Sequence, residues 1–512
     1  MLDSRQPGRV LSALCVALAA VLLASCTRGE DTADGDPSPT ASASSSAHEP
    51  NVVYVLTDDL AWNLVKYMPH VRQMEKNGTT FTNFFVTDSL CCPSRSSIFT
   101  GQYPHNTGVF TNNGRDGGYG AFLKNDDEQK SFGPALQRAG YRTGFMGKYL
   151  NGYQPADRNR TSKPYVPPGW DEWDVAGDGY PEFDYDLNEN GTVVPYGHEP
   201  RDYLTDVLSK KARSFVGSSA KAGKPFMLEV ATFAPHGPST PAPRDENAYP
   251  GLTAPRTNAY DKGTLNAPKW QHTLSPLTSK EQRDIDEKFA KRVRSVQAVD
   301  AMIGRLESTL KEQGVADDTY FVFGSDNGFH MGEHRLRPGK QTVYDTDIKV
   351  PMMVTGPGVP AGRRVSRLAE NIDMNPTFQE LAGVKPPSTV DGRSLAGLMH
   401  GHTEDDWRRA LLVEHHRAAS KNGDPDAAPD NSGDPPDYEA LRTTDALYVE
   451  YSDGEREFYS TASDPDELNN RAGSLSDAQR ASLQRTLTAL RHCNGPSCRT
   501  ASGSTRRAPE DD

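Results

Sequence analysis

The chain has 512 residues, a formal net charge of -13 and a sequence pI of about 5.5. That acidic balance excludes broad nucleic-acid binding, and a site for an anionic substrate would have to gather its few cations locally. The length is enough for one large domain plus a smaller one.

Arg5 and Arg9 precede an apolar run from Val10 to Ala24. This is the charge pattern of an export signal, and the run is too short for a membrane span. Leu23-Ala24-Ser25-Cys26 resembles a bacterial lipobox. It implies cleavage before Cys26 and lipid attachment there, so the mature chain is expected at the cell-membrane surface or, with plain cleavage, secreted. Residues 1–25 are read as the signal peptide. Residues 26–49, rich in Ser, Ala, Pro, Asp and Thr, are read as a disordered tether.

The folded part opens with Asn51-Val52-Val53-Tyr54-Val55-Leu56, an apolar run suited to a buried strand. It ends at Asp58-Asp59, two adjacent carboxylates that are costly to hold together unless a cation neutralises them. Next comes Ser89-Leu90-Cys91-Cys92-Pro93-Ser94-Arg95, followed by Thr100-Gly101. Proline suits a first helical turn, so a group at Cys91 would face the positive end of a helix, with Arg95 adding charge nearby. The alternatives are two buried cysteines at an ordinary helix start or a vicinal disulfide. Cys92 reads as an apolar filler.

The strand-then-polar pattern repeats. Tyr141–Met146 ends in Gly147-Lys148, Pro225–Phe233 in Ala234-Pro235-His236, and Thr319–Phe323 in Ser325-Asp326-Asn327. In an open α/β sheet ligands bind at that edge, so four such strands point to one converging site. Between them, an apolar stripe from Asp286 to Gly314 predicts a core helix. The Pro-, Ala-, Asn- and Thr-rich segment 238–278 predicts an irregular excursion near the site mouth. Lys340 lies in a charged loop after Asp326 and is a site candidate, and Ile348–Val354 reads as a further buried strand.

Beyond about Asp405 the character changes. Leu411–Val413 is a short strand, and 418–437 is Gly-, Asp- and Pro-rich and expected to be loose. Two strands bracket the turn Ser452-Asp453-Gly454, and Ser476 to Gln479 resembles a capping box ahead of a helix. Cys493 and Cys498 are close enough to close a small loop in an oxidising compartment. The predicted organisation is a large domain over 50–400, a small α+β unit over 401–495 and a disordered tail over 496–512.

Asp58, Asp59, Asp326 and Asn327 offer only oxygen ligands, which suit a hard cation, Ca2+ or Mg2+. The cysteine segment resembles the C-x-P-S-R…T-G signature of the formylglycine-dependent sulfatases. Within that family the chain looks most like the N-acetylglucosamine-6-sulfatase branch, through Gly147-Lys148-Tyr149-Leu150-Asn151, Ala234-Pro235-His236, Ser325-Asp326-Asn327-Gly328, Tyr344-Asp345, Asp347–Pro351 and Asp464–Asn470. The resemblance runs from about Asn51 to Arg471. It implies an alkaline-phosphatase-like α/β fold, with a large mixed sheet flanked by helices and a small C-terminal antiparallel sheet plus helix.

It also implies hydrolysis of sulfate esters on sulfated small molecules or glycans, glycosaminoglycan fragments among them. Cys91 would be oxidised to formylglycine (3-oxoalanine) by a formylglycine-generating enzyme, and its hydrate would attack sulfur and later expel sulfate. The implied metal site is Asp58, Asp59, Asp326, Asn327 and residue 91. Arg95, Lys148 and Lys340 would offset sulfate charge, and His236 would protonate the leaving oxygen. Two positions depart from the family pattern. Leu150 stands where many sulfatases carry a histidine, which leaves the group that deprotonates the hemiacetal open, with His330 and His334 as weak candidates. Gln102 replaces a basic residue common after the Thr-Gly pair. Competing readings are a phosphoesterase or phosphonate hydrolase of the same superfamily, and a lipoprotein that binds sulfated glycans without turnover if Cys91 stays unmodified.

Overall fold

The computed structural model describes residues 49–159, 161–403, 405–417 and 424–503. The expected signal peptide, Cys26 and nearly all of the tether lie outside the described residues. Among the described residues no helix is long and apolar enough to cross a membrane.

A ten-stranded sheet organises the chain. Its order is Arg363–Val365, Thr79–Phe81, Met352–Thr355, Thr319–Ser325, Asn51–Thr57, Phe226–Ala231, Arg142–Lys148, Glu172–Ala176, Tyr185–Glu189 and Thr192–Tyr196. The five strands from Thr319–Ser325 to Glu172–Ala176 are mutually parallel. Met352–Thr355 on one side and the hairpin 185–196 on the other run antiparallel to their neighbours.

Strand alternation divides the interior into two cores. Val52, Tyr54 and Leu56 face one, with Phe99, Phe145 and Met227. Val53 and Val55 face the other, with Leu228, Val230, Val293 and Val296. Helix Cys91–Thr100 packs on the first face, and helices Leu204–Lys221 and Ser279–Glu312 on the second. With both faces covered, the central strands read as near-continuous apolar runs, broken by isolated buried polar residues such as Glu229.

Two predicted elements move. The long helix starts at Ser279 rather than near Asp286. Thr278 Oγ1 accepts from the Glu281 N–H at 3.3 Å, and the Glu281 carboxylate accepts from the Thr278 N–H at 2.8 Å. That reciprocal cap needs no apolar periodicity. The strand expected over Ile348–Val354 is split into a helical turn, Asp345–Ile348, and the strand Met352–Thr355. Pro351 has no N–H to give to a ladder, so pairing begins after it.

The C-terminal sheet is four-stranded and antiparallel, in the order Ala410–His415, Tyr438–Thr443, Ala446–Tyr451, Arg456–Ser460. Helix Asp477–Arg491 lays Leu487 and Leu490 against its Leu412, Leu441 and Tyr448. Cys493 and Cys498 are disulfide-bonded. The tail expected to be disordered from 496 instead begins as a helix, Pro496–Gly503, because the disulfide and buried Ala501 seat it on the same core. The remainder of that tail, 504–512, lies outside the described residues.

Candidate active site

The C-terminal edge of the parallel strands delivers the site. Strand Asn51–Thr57 hands over to Asp58 and Asp59, both buried. At Asp59 the backbone turns sharply, with φ 65°, a left-handed conformation that aspartate tolerates better than most residues. The turn aims the Asp59 N–H at Asp326 Oδ1, 3.0 Å away at the end of the neighbouring strand. Lys148 ends Arg142–Lys148, and its Nζ donates to Asp58 Oδ2 at 2.5 Å.

Helix Cys91–Thr100 enters this edge with its first residue. Cys91 is fully buried, and its thiol lies 3.2 Å from Asp58 Oδ1. Lys340 Nζ donates to Cys91 Sγ at 2.9 Å and to Asp59 Oδ1 at 2.6 Å. Arg95, one helical turn on, donates through Nε to Asp326 Oδ2 at 2.8 Å and through Nη1 to the Lys148 carbonyl at 2.8 Å. Its Nη2 is buried, 4.0 Å from Asp58 Oδ2, with no hydrogen-bond partner. Cys92 points away into the core and is a free thiol, as is Cys91, so there is no vicinal disulfide.

All the predicted site residues are thus drawn into one buried cluster. Asn327 Nδ2 donates to Asp59 Oδ1 at 2.7 Å, while its Oδ1 is buried without a partner. Ligand atoms from Asp58, Asp59, Cys91 and Asp326 lie within 4.8 Å of one another. Three carboxylates plus an orphaned amide oxygen form an oxygen-rich donor set that fits a hard divalent cation. The residue-91 side chain would add a further ligand.

The charges are strongly interdependent. Burial acts to raise the Asp58 carboxyl, but Lys148, His236, Arg95 and Lys340 outweigh it and hold the group below its ordinary range. Burial and then Asp58 push Asp326 up, against Arg95. Burial opposes charge on Lys148 and Lys340, yet Asp58 keeps the first protonated, and Asp426 with Asp59 the second. Burial, then Asp326, Asp426 and Asp58, raise the Cys91 thiol, so the unmodified side chain is no thiolate. His236 is pulled down by burial but raised overall by Asp426, Asp59 and Asp58. Its Nδ1 faces the Gly237 carbonyl at 2.7 Å.

Several participants carry no signal in the sequence. Asp426 accepts from His236 Nε2 at 2.5 Å and lies 2.6 Å from Lys340 Nζ. It comes from the stretch expected to be loose; of that stretch, 418–423 lie outside the described residues. Arg292, inside the apolar stripe of the long helix, donates to the Pro235 carbonyl at 3.2 Å and to the Asp59 carbonyl. Asn112 and Asn151 also reach the cluster. The weak histidine candidates are committed elsewhere: His330 bonds Asp347 at 3.0 Å, and His334 stacks on Tyr344 with ring centroids 4.0 Å apart. Leu150 is packed in the core. Gln102 donates to the Thr389 carbonyl at 3.0 Å.

The excursion 238–278 packs beside the Lys340 loop. Thr264 Oγ1 meets His334 Nδ1 at 3.1 Å, and Gln271 bonds the Tyr344 hydroxyl.

Residues 50–384 match the sulfatase family model, and residues 332–492 match the C-terminal model of N-sulphoglucosamine sulphohydrolase. The human N-acetylglucosamine-6-sulfatase is 34% identical over 478 residues, covering 88% of this chain and 86% of that one. The chain belongs to the sulfatase family. A putative extracellular sulfatase of Caenorhabditis elegans is 36% identical over 383 residues, 71% of this sulfatase and 52% of the relative. In three dimensions this sulfatase superposes with a TM-score of 0.71, at 24% identity, on a protein solved with its substrate D-glucosamine-2-N,6-O-disulfate, over 86% of this chain and 97% of that one. That likeness fixes the alkaline-phosphatase-like fold, and the sequence matches make the chain a sulfuric ester hydrolase.

Proposed function

We propose that the chain removes sulfate from sulfated sugars, with N-acetylglucosamine-6-sulfate and related glycosaminoglycan fragments as first candidates. In this reading Cys91 is converted to formylglycine by a formylglycine-generating enzyme. A divalent cation, Ca2+ with Mg2+ as the alternative, is held by Asp58, Asp59, Asp326, Asn327 and residue 91. The observation that carries the reading is the buried meeting of Cys91, Lys340 and the carboxylates at one sheet edge.

Formylglycine, once formed, supplies an oxygen nucleophile where the thiol now sits, and the cation supplies Lewis-acid polarisation of a sulfate oxygen. The chain's own residues do the rest. Lys148, Lys340 and the free Nη2 of Arg95 offset the charge that grows on the sulfate oxygens and leaving group. With Nδ1 engaged by Gly237, His236 carries on Nε2 the proton meant for the leaving oxygen; until an ester enters, Asp426 Oδ1 accepts that proton's hydrogen bond at 2.5 Å. The cluster is buried, which strengthens each of these charge interactions. Extracellular relatives support an exported enzyme, and lipid on Cys26 would tether it to the membrane surface.

Two measurements on native-source protein test this. Mass spectrometry of the peptide spanning Cys91 should find the aldehyde in place of the thiol. The same preparation, with calcium, should release sulfate from N-acetylglucosamine-6-sulfate or an aryl sulfate. A wholly unmodified thiol with no sulfate release would leave a glycan-binding protein as the better account.

A further inference from the structure

Asp426 is an anion seated among the groups assigned to handle an anion. Its side chain is fully buried. Oδ1 faces His236 Nε2 at 2.5 Å and Lys340 Nζ at 2.6 Å. Oδ2 accepts from Asn112 Nδ2 at 2.7 Å and Asn151 Nδ2 at 3.0 Å. The main chain is fixed too: its carbonyl accepts from Gln341 Nε2 at 2.9 Å, and its N–H donates to Asp424 Oδ1 at 3.0 Å. Two neutral amides therefore hold one oxygen, while the other faces His236 and Lys340, the groups assigned above to the leaving oxygen and the sulfate charge.

The charge inventory gives this placement a consequence. Arg95, Lys148 and Lys340, with His236 beside them, face Asp58, Asp59 and Asp326, and a bound divalent cation would add two more positive charges. Such a pocket would attract a dianion more strongly than a monoanion. A sulfate ester carries one negative charge. A phosphate monoester of nearly the same size carries about two above its second pKa of ~6. A fixed carboxylate at hydrogen-bond distance from Lys340 and His236 repels in proportion to the charge of the ligand, so the dianion is penalised more.

We propose that Asp426 is a specificity-determining residue, a built-in negative charge that keeps the pocket selective for monoanionic sulfate esters over dianionic phosphate monoesters. The proposal rests on the sulfatase reading above and extends it to a residue outside the sulfatase signature motifs.

The test compares wild type with Asp426→Asn, and with Asp426→Ser as a second variant in case the amide disturbs folding. The mature, calcium-loaded enzyme is given para-nitrophenyl sulfate and para-nitrophenyl phosphate at about pH 8. The ratio of kcat/KM for sulfate over phosphate should fall at least tenfold in the variant, chiefly through a lower KM for the phosphate. An equal loss of kcat on both esters would make Asp426 a mere support for His236 and overturn the proposal.

A second arm uses full-length protein whose Cys91 is left as the thiol, and measures calorimetric binding of phenyl sulfate and phenyl phosphate. The variants should gain at least tenfold in relative affinity for the phosphate; an unchanged preference overturns the proposal. Because this arm needs no turnover, a wild type that hydrolyses neither ester would sink the sulfatase reading while the charge-selection claim is still decided.

Discussion

The Lys340 ammonium donates to the Cys91 sulfur across 2.9 Å, from a position 249 residues later in the chain. The same Nζ is 2.6 Å from Asp59 Oδ1 and 2.6 Å from Asp426 Oδ1. One cation thus serves the Cys91 sulfur and two carboxylates at once. Lys340→Ala should cost about 10²–10³-fold in kcat/KM on an aryl sulfate, the range found for losing one preorganised charge donor. It should also destabilise the fold by about 3–5 kcal/mol, because it leaves buried carboxylates without their partner. Steady-state kinetics and denaturant titration check both. A variant with near-normal kinetics would remove Lys340 from the site.

Removal of the divalent cation should lower thermal stability. Without it, Asp58, Asp59 and Asp326 share a buried space with only the side-chain cations to offset them. Chelator-treated protein should unfold at a lower temperature, and calcium should restore it. At a hundredfold excess over Kd the linked stabilisation is about 2.7 kcal/mol. Asn327→Leu removes the amide oxygen that lacks any other partner. It should shift the calcium titration of Tm to higher concentration by at least tenfold, an effect a surface asparagine would not have.

The legible part of the site was the part placed by strands. Asp58, Lys148, His236 and Asp326 each follow an apolar run, and the sheet must bring those ends to one edge. The missed parts sit where local pattern is mute. Asp426 lies in a Gly- and Pro-rich stretch whose path is set by Asn112, Asn151 and Gln341, none of them near in sequence. Arg292 hides in an apolar helical stripe because its guanidinium reaches out of the core to two carbonyls. The edge hairpin of Tyr185–Glu189 and Thr192–Tyr196 did have a signal, the Asn190-Gly191 pair at its turn. The three-residue strands Thr79–Phe81 and Arg363–Val365 had none, being too short to show a period.

Reduction of the Cys493–Cys498 disulfide should loosen the C-terminal end without touching catalysis. The bridge closes a loop of separation 5, and the chain-entropy relation gives about 2 kcal/mol for so short a loop. His105 and Asn106 both meet the Cys493 carbonyl, at 2.9 and 3.0 Å, so the loop is also tied to the segment after helix Cys91–Thr100. The Cys493→Ala/Cys498→Ala pair should unfold at lower denaturant and be cleaved more readily within Pro496–Gly503, as read by limited proteolysis. Activity on an aryl sulfate should hold.

Glu229 offers a pH test at a group outside the metal cluster. It sits in the central strand Phe226–Ala231, opposite Tyr54, fully buried, and neither carboxylate oxygen has a hydrogen-bond partner. Burial raises its pKa to about 8, with Arg95 pulling weakly the other way. The unfolded chain would release this proton near ~4.3. Between those values the folded state binds more protons than the unfolded one, so stability falls as pH rises, and the loss levels off above about 8. Glu229→Gln carries no such titration. The variant should therefore gain on wild type steadily from about pH 5 to 8, by a few kcal/mol at the upper end. Paired Tm measurements across that range decide it: parallel curves would mean that Glu229 is ionised throughout, and that something unseen balances its charge.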